Sequence, residues 1–434
     1  MTSRLRAVVS GSIGNLVEWY DWYAYSVFSL YFAPSFFPEG SYTAQLLQAA
    51  AVFAVGFLVR PVGGWLLGAY ADRHGRRAAL LLSVWLMCGG SLLIAVAPPF
   101  AAIGVGAPAL LLLARLVQGL SVGGEYGTSA TYLSEVADAR NRGFYSSFQY
   151  VTLLGGQLLA LLVQMGLQAA LSEHELLAWG WRVPFVVGAA AALSALWLRR
   201  TMPETDDFER ERTAPHLAEH PTEHPLRALA RHPRAVLTVM GLTLGGTIAF
   251  YTFTTYAQKF LVNTAGFSKP QATRVALAGL VFALVLQPVL GALSDRIGRR
   301  PVLLFFGVGA TLGTVPLLTA LSRVRAPWEA FGLLAVALLI VSGYTSINAI
   351  VKAELFPTRV RALGVGLPHA LTVAVFGGSS ELLALKLKEM GVEPVFYWYV
   401  AGCAALSLAV YWWMPETKGA LDGDGEGIVG DGRI

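Results

Sequence analysis

A few ionisable side chains lie inside long apolar runs of this sequence: Glu18, Asp21, Arg60, Arg115 and Glu125. A charge in such surroundings is costly to bury, so it is usually kept for a function. An arginine guanidinium is planar and always charged, and it binds a carboxylate through two parallel hydrogen bonds. A carboxyl group can take up and release a proton. These residue types are suited to binding an anionic group and to taking up and releasing protons.

The acidic residues are the candidates for proton coupling. Asn15, Glu18 and Asp21 are three residues apart, so they share one face of a helix. We expect Asp21 to carry the proton, because an Arg115 partner would hold it ionised until an anion competes for the guanidinium. Glu18 and Glu125 are the further candidates.

The cations and neutral polar groups are the candidates for substrate binding. Arg60 and Arg115 are the only arginines well inside the apolar runs, and we predict that both face the substrate path. Lys259 could supply a cation from the second half of the chain. Gln157 and Tyr256 are the expected neutral hydrogen-bonding groups.

Each of these assignments has a structural alternative. Arg115 could neutralise Asp21 as a buried pair that only holds the fold together. Lys259 could be an interfacial anchor. We expect His369 to be a packed, hydrogen-bonded core residue and Glu381 to lie near the outer surface in contact with solvent.

The elements that carry these residues are predicted to be membrane-spanning helices. Of the 434 residues, 55% are hydrophobic and only 14% are charged, whereas soluble domains carry about 25% charged residues. The apolar runs are about as long as a bilayer-crossing helix and too long for barrel strands. The fold class is therefore an all-α membrane protein with twelve transmembrane helices. The runs are 15–37, 45–69, 78–98, 107–133, 145–169, 182–200, 235–258, 272–293, 302–321, 329–351, 362–385 and 394–413.

The distribution of positive charge predicts the orientation. With the N-terminus in the cytoplasm, twenty-two Lys and Arg residues fall on the cytoplasmic side and eight on the other. We therefore expect a multi-pass protein of the cell (inner) membrane with both termini in the cytoplasm. The net charge of +5 is scattered and forms no stripe for nucleic acid.

An internal repeat divides the chain into two six-helix pseudo-repeats. The pattern Gly-x-x-x-Asp-Arg-x-Gly-Arg-Arg occurs at 68–77 and again at 291–300, at an offset of 223. The predicted parts are an N-terminal bundle at 1–202, a cytoplasmic linker at 203–234 and a C-terminal bundle with a short tail at 235–434. His216, His220 and His224 have helical spacing in the linker, but prolines interrupt them, so we interpret the segment as a solvated linker and predict no metal site.

The repeated pattern is also predicted to act as a conformational gate. Its aspartates can cap a helix N-terminus or pair with an arginine. The alternative is that the arginines only set the topology. The gate residues are Gly68, Asp72, Arg73, Gly75, Arg76, Asp295, Arg296 and Arg299.

The twelve runs and the paired turns resemble the major facilitator superfamily. Within it, Gly14–Asp21, Arg60–Gly64, Arg115–Gly127 and Glu354–Arg361 resemble the metabolite:proton symporters. Three further segments, at 146–152, 252–259 and 261–266, resemble members that carry C5 dicarboxylates. The resemblance implies proton-coupled uptake of a dicarboxylate such as 2-oxoglutarate by alternating access. It also implies that the gate closes the cytoplasmic side when the outer side is open.

Enzyme motifs have a simpler interpretation here. Gly119-x-Ser121-x-Gly123 matches a hydrolase nucleophile pattern, but it lies within a predicted membrane helix, where such glycines pack helices together. No phosphate-binding Gly-Lys motif occurs, so we do not expect primary ATP-driven transport by this chain alone. We expect a transporter that is not an enzyme and has no cofactor. The partners expected are a small organic anion, protons and the lipid bilayer, with the protein monomeric. The alternatives are a symporter of another anion such as citrate, an exporter on the same fold, or a sensor.

Overall fold

A computed structural model describes residues 3–74, 76–123, 130, 137–138, 140–200, 229–357, 360–421 and 428. Within these ranges the chain is helical and holds no β-strand. A long helix begins in or beside each of the twelve apolar runs, and the fold-class prediction is confirmed. The helices are α1 Ser3–Phe36, α2 Tyr42–His74, α3 Arg76–Val96, α4 Gly106–Val122, α5 Arg142–Ala170, α6 Val183–Arg200, α7 Pro233–Asn263, α8 Lys269–Ile297, α9 Arg299–Arg323, α10 Pro327–Leu355, α11 Arg361–Glu389 and α12 Pro394–Trp413.

The helix ends follow from local sequence. α7, α10 and α12 each begin with a proline, whose missing N–H costs nothing in the first turn. Ser268 accepts a hydrogen bond from the backbone N–H of Gln271 and caps α8. α7, α8 and α10 therefore begin two or three residues before their predicted apolar runs, and α12 begins at the first residue of its run.

The helices pair in the same way in both halves. In the first half, α2 packs against α4 and α3 against α6; in the second, α8 packs against α10 and α9 against α12. Large apolar side chains such as Trp65, Leu312 and Trp398 project outward with 67–71% of their surface exposed. An outer surface of this kind suits lipid rather than water.

Glycines permit the close approach of α2 and α4. A Cβ atom on Gly123 would lie 1.9 Å from the carbonyl oxygen of Arg60, and one on Gly119 would lie 2.3 Å from that of Gly56. Only a residue without a side chain fits at such distances. The helix-packing interpretation of the Gly119-x-Ser121-x-Gly123 pattern is therefore correct, and this contact fixes the part of α2 that carries Arg60.

The two halves meet where α2 packs against α11 and where α5 packs against α8. Two helices of the second half contain a turn of π-helix, at Thr252–Tyr256 in α7 and at Val373–Gly377 in α11. Such turns are often found at functional sites. Most of the predicted linker lies outside the described residues, so the domain division stays a prediction.

Candidate functional site

A cavity of about 40 Å³ lies between the two halves. We call it the central cavity. At roughly 10–15 Å³ per water, it has room for a few water molecules. Both halves contribute to its wall, including Glu18, Arg60, Tyr150, Thr247, Tyr251 and His369.

Arg60 is the cation of the first half in this wall. Its guanidinium carbon lies 3.9 Å from the ring centroid of Trp22 and 4.1 Å from that of Phe57. The Nε and Nη2 atoms have no hydrogen-bond partner within the part of the chain that the structure describes. Because cation–π contacts leave the N–H groups unpaired, the guanidinium keeps donors for an anion.

Arg115 lies behind this wall and does not line the cavity. It is fully buried, and its guanidinium carbon lies 3.8 Å from the Trp22 ring centroid, so the two arginines share one indole. Its Nη1 donates to Oε1 of Gln118 at 2.8 Å, and Nε2 of Gln118 donates to Oδ2 of Asp21 at 2.7 Å. The expected link between Arg115 and Asp21 therefore runs through Gln118, with no direct hydrogen bond between the two residues among those described.

Asp21 is buried and is hydrogen-bonded on both oxygens. Ser91 donates to Oδ1, and Gln118 donates to Oδ2. A Cβ atom on Gly188 of α6 would lie 2.3 Å from Oδ1, so that helix also closes over the carboxyl group. Glu18, one helical turn earlier, lines the cavity itself.

Lys259 forms a buried ion pair with Glu381, which was expected to lie in solvent. Its Nζ lies 2.5 Å from Oε1 of Glu381 and donates to Oγ of Ser26 at 2.8 Å. The prediction that Glu381 is solvated is wrong, because only 4% of the residue is exposed. Burial of a lone ammonium is too costly, so the lysine draws the carboxylate inward. The pair lies beyond the cavity wall and joins α7 and α11 to α1.

Tyr256 and Gln157 do not line the central cavity either. The Tyr256 ring packs edge-on against Phe260 and Phe396, within the second half. Gln157 is buried on α5, and its Oε1 has no hydrogen-bond partner in the described ranges. The two residues were selected from their spacing along single helices. Such spacing does not show which neighbouring helix a residue faces.

Two polar residues of the second half line the cavity and were not among the predicted binding groups. Tyr251 lies beside Arg60 closely enough to interact with it electrostatically. His369 was expected to be hydrogen-bonded in the core; it is hydrogen-bonded, but it also lines the cavity. Tyr251 immediately precedes the π-helical turn Thr252–Tyr256, a feature that the sequence pattern does not reveal.

The second copy of the repeated pattern links the two halves at its own end of the bundle. Asp295 of α8 accepts hydrogen bonds from the backbone N–H groups of Gly143 and Phe144 at 2.8 and 2.9 Å. These N–H groups belong to the first turn of α5, where the positive end of the helix dipole favours a carboxylate. Arg299 donates to Asp295 at 2.8 Å, whereas Arg296 is exposed.

The first copy cannot be compared with the second. Gly75 and Glu125 lie outside the described residues, and for Gly68, Asp72, Arg73 and Arg76 only the helical backbone is described. The predicted roles of these residues stay predictions. In the second copy, Gly298 has φ +100°, and a Cβ atom there would lie 2.6 Å from the Glu416 carboxylate, so the glycine of the pattern is needed for the turn.

Comparison with known proteins identifies the family. Residues 12–373 match the family model described as Major Facilitator Superfamily. The chain belongs to the major facilitator superfamily. As a member of this superfamily it is a multi-pass membrane transporter and not an enzyme. The crystal structure of a D-xylose-proton symporter has the same fold, with a TM-score of 0.74 and 22% identity over 96% of this chain and 99% of that one.

Two relatives within the superfamily show higher identity. The chain is 56% identical to the alpha-ketoglutarate permease of Escherichia coli (strain K12) over 94% of its own length and 93% of that protein. It is 33% identical to a citrate-proton symporter of Klebsiella pneumoniae over 93% of its own length and 91% of the relative.

Proposed function

We propose that this protein is a proton-coupled symporter that carries 2-oxoglutarate into the cell. The relative at 56% identity is named for transport of this dicarboxylate, and one at 33% is named for symport of citrate with protons. In this proposal the substrate binds at the position of the central cavity, which holds only a few water molecules in the present state and must widen to admit a dicarboxylate. The two halves then expose the substrate to each side of the membrane in turn.

The observation that carries the proposal is Arg60 in the cavity wall. Two nitrogen atoms of this buried guanidinium, Nε and Nη2, have no hydrogen-bond partner among the described residues. An anion would pair with them, and a carboxylate can do so through two parallel hydrogen bonds. Multidrug exporters on the same fold would be expected to have apolar cavities with few cations. An organic anion is therefore the substrate class that this wall favours.

Asp21 is the proposed proton carrier. The chain Arg115–Gln118–Asp21 gives a physical route by which the two groups affect each other. Arg60 and Arg115 interact electrostatically across the Trp22 ring, so an anion bound at Arg60 would also act on Arg115. A change at Arg115 would reach Asp21 through the amide of Gln118. Glu18, at the cavity wall, and Glu125 are the further proposed carriers.

The proposal also covers the location, topology and domain organisation of the protein. We place the protein in the inner membrane as a monomer, with both termini in the cytoplasm, two bundles at 1–202 and 235–434, and the linker at 203–234. In this orientation the Asp295 contacts with α5 lie on the cytoplasmic side. They would act as a latch between the halves, and Asp72 would serve as its counterpart.

Transport in proteoliposomes tests the proposal. Vesicles loaded with unlabelled 2-oxoglutarate should take up labelled 2-oxoglutarate by counterflow. In vesicles that contain no 2-oxoglutarate, an inward proton gradient should drive accumulation of the labelled compound. Labelled citrate should exchange more slowly. Counterflow with citrate but not with 2-oxoglutarate would show that citrate is the substrate instead. Failure of counterflow with both compounds would reject the proposal of an anion symporter.

A further inference from the structure

Tyr251 of α7 lines the central cavity from the second half, and Arg60 of α2 lines it from the first. The two side chains lie within electrostatic range of each other. The Tyr251 ring also packs edge-on against Phe57, which lies one turn of α2 before Arg60, with the ring centroids 5.3 Å apart. A contact between the two halves therefore places this phenol beside the guanidinium.

The position of the Tyr251 ring is also fixed by α11. Tyr251 is the last residue before the π-helical turn Thr252–Tyr256 of α7, and Gly377 is the last residue of the π-helical turn in α11. A Cβ atom on Gly377 would lie 2.7 Å from Cε2 of Tyr251. A side chain at that position would displace the ring, so the glycine allows α11 to pack directly against it. Turns of π-helix are frequent at functional sites, and both of these turns adjoin Tyr251.

The hydroxyl of Tyr251 is a hydrogen-bond donor that its polar neighbours do not use. A guanidinium has donors and no acceptor, so Arg60 cannot accept the Tyr251 proton. Tyr23, a second phenol within electrostatic range of both, has no hydrogen-bond partner for its Oη among the described residues. Nε and Nη2 of Arg60 are likewise unpaired within that part of the chain. Donors from both halves thus lie together, and a carboxylate can accept from several donors at once.

We propose that the Tyr251 hydroxyl donates to the same substrate carboxylate that Arg60 binds. This inference rests on the proposed function, since it names a second contact for one end of the dicarboxylate. In the present state the Tyr251 ring lies against α2, so the widening that admits the substrate also opens the space between phenol and guanidinium. A carboxylate in that space is held by both halves, because α7 belongs to one and α2 to the other. Substrate binding then favours the arrangement in which the halves are close together.

Removal of the hydroxyl tests this contact. Tyr251→Phe keeps the ring that packs against Phe57 and Gly377 and removes only the donor. Calorimetric titration of the purified protein with 2-oxoglutarate should show an affinity about 10- to 100-fold lower, the loss expected for a hydrogen bond to a charged group. Tyr411→Phe is the matched control and should bind as the native protein does. It removes a buried hydroxyl that donates to the Leu242 carbonyl, and its helix, α12, contributes no residue to the described wall of the central cavity.

Infrared spectra of the bound substrate show which carboxylate is involved. The two carboxylate stretches can be told apart when 2-oxoglutarate carries a heavy carbon isotope at C1 or at C5. Loss of a hydrogen bond shifts the band of the carboxylate that accepted it. Tyr251→Phe should shift the band of one carboxylate only, and Arg60→Lys should shift the same one. If the two variants shift different bands, the tyrosine contacts the other end of the substrate, and the shared carboxylate is wrong.

The outcomes distinguish this inference from the proposed function. If the native protein does not bind 2-oxoglutarate, the proposed function fails. If the native protein binds it and Tyr251→Phe binds equally well, the assignment of Tyr251 is wrong. A weaker affinity in Tyr251→Phe with both carboxylate bands unchanged would also overturn the assignment, because the hydroxyl would then act without contacting a carboxylate. An equal loss of affinity in Tyr411→Phe would do the same, since any buried hydroxyl would then have this effect.

Discussion

Gln118 joins Arg115 to Asp21, accepting from the guanidinium with Oε1 and donating to the carboxylate with Nε2. The two charges are thus held by one neutral amide instead of by direct contact. A direct buried pair would have to break for the acid to be protonated, at a large desolvation cost. With the amide between them, Asp21 can gain a proton while Arg115 keeps its hydrogen bond.

Substitution of Asp21 tests its role as proton carrier. Asp21→Asn keeps the shape, since its amide oxygen can accept from Gln118 and its NH2 can donate to Oγ of Ser91, but it cannot release a proton at any physiological pH. We expect counterflow of 2-oxoglutarate to be retained and proton-driven accumulation to be lost. Ser91→Ala is the control, since it removes one hydrogen bond and leaves the acid. An Asp21→Asn protein that still concentrates substrate would rule out this carrier.

The two arginines should differ in their effect on binding. Arg60→Lys keeps the charge but loses both the planar fork and its stacking on Trp22, so affinity for 2-oxoglutarate should fall about tenfold or more without vanishing. Arg60→Gln should lower it further. Arg115→Gln should act mainly on proton coupling, because Arg115 lies behind the wall. Calorimetric titration checks this order, and a double Arg→Gln protein with native affinity would refute the binding role of Arg60. An Arg115→Gln protein that still accumulates substrate in response to a proton gradient would refute the coupling role of Arg115.

The Lys259–Glu381 pair should matter for stability. Removing one partner leaves a buried, unpaired charge, so Lys259→Met alone should lower the free energy of unfolding by about 3–5 kcal/mol. The double variant Lys259→Met/Glu381→Met should recover most of this loss. Thermal unfolding in detergent gives the comparison. A double variant as unstable as the single one would show that the pair does not act as a unit.

The latch at Asp295 should set the conformational equilibrium. Asp295→Asn weakens the acceptor for two backbone N–H groups of α5 and removes the partner charge of Arg299. Opening between α5 and α8 should become more frequent, with slower uptake and nearly unchanged substrate affinity. Spin-label distances across these helices measure the opening, and Arg274→Gln, at an exposed position of α8 outside the gate set, is the control. We expect Asp72→Asn to slow uptake in the same way; unaltered distances and rates in both aspartate variants would argue against a latch.

Charge balance predicts at least two protons per substrate dianion. With one proton, a net negative charge enters a cell that is negative inside, at about 2.3 kcal/mol per 100 mV. One pH unit returns only about 1.4 kcal/mol per proton. Two protons make the step electroneutral and let the pH gradient drive accumulation. Parallel flux measurements of protons and labelled 2-oxoglutarate give the ratio, and a ratio of one would contradict this.

Most of the fold could be predicted from the sequence, because its physical cause is local. Each helix needs about twenty apolar residues in succession, and the bilayer leaves the backbone little choice but to form hydrogen bonds within the helix. The repeat at an offset of 223 likewise predicted two similar halves, and α3–α6 and α9–α12 pack in corresponding ways. Buried charges on these helices, such as Arg60 and Asp21, were recognisable for the same reason.

The partners of those charges were decided only by the tertiary structure. The sequence predicted Arg115 beside Asp21, but Gln118 reaches both of them because α4 brings its side chain opposite α1. Glu381 was expected in solvent, yet α11 turns it towards Lys259 of α7. His369 lines the cavity wall, and its ring contacts Lys352, seventeen residues away on another helix. Periodicity determines which residues share a face of one helix; which face meets which neighbour depends on how all twelve helices pack.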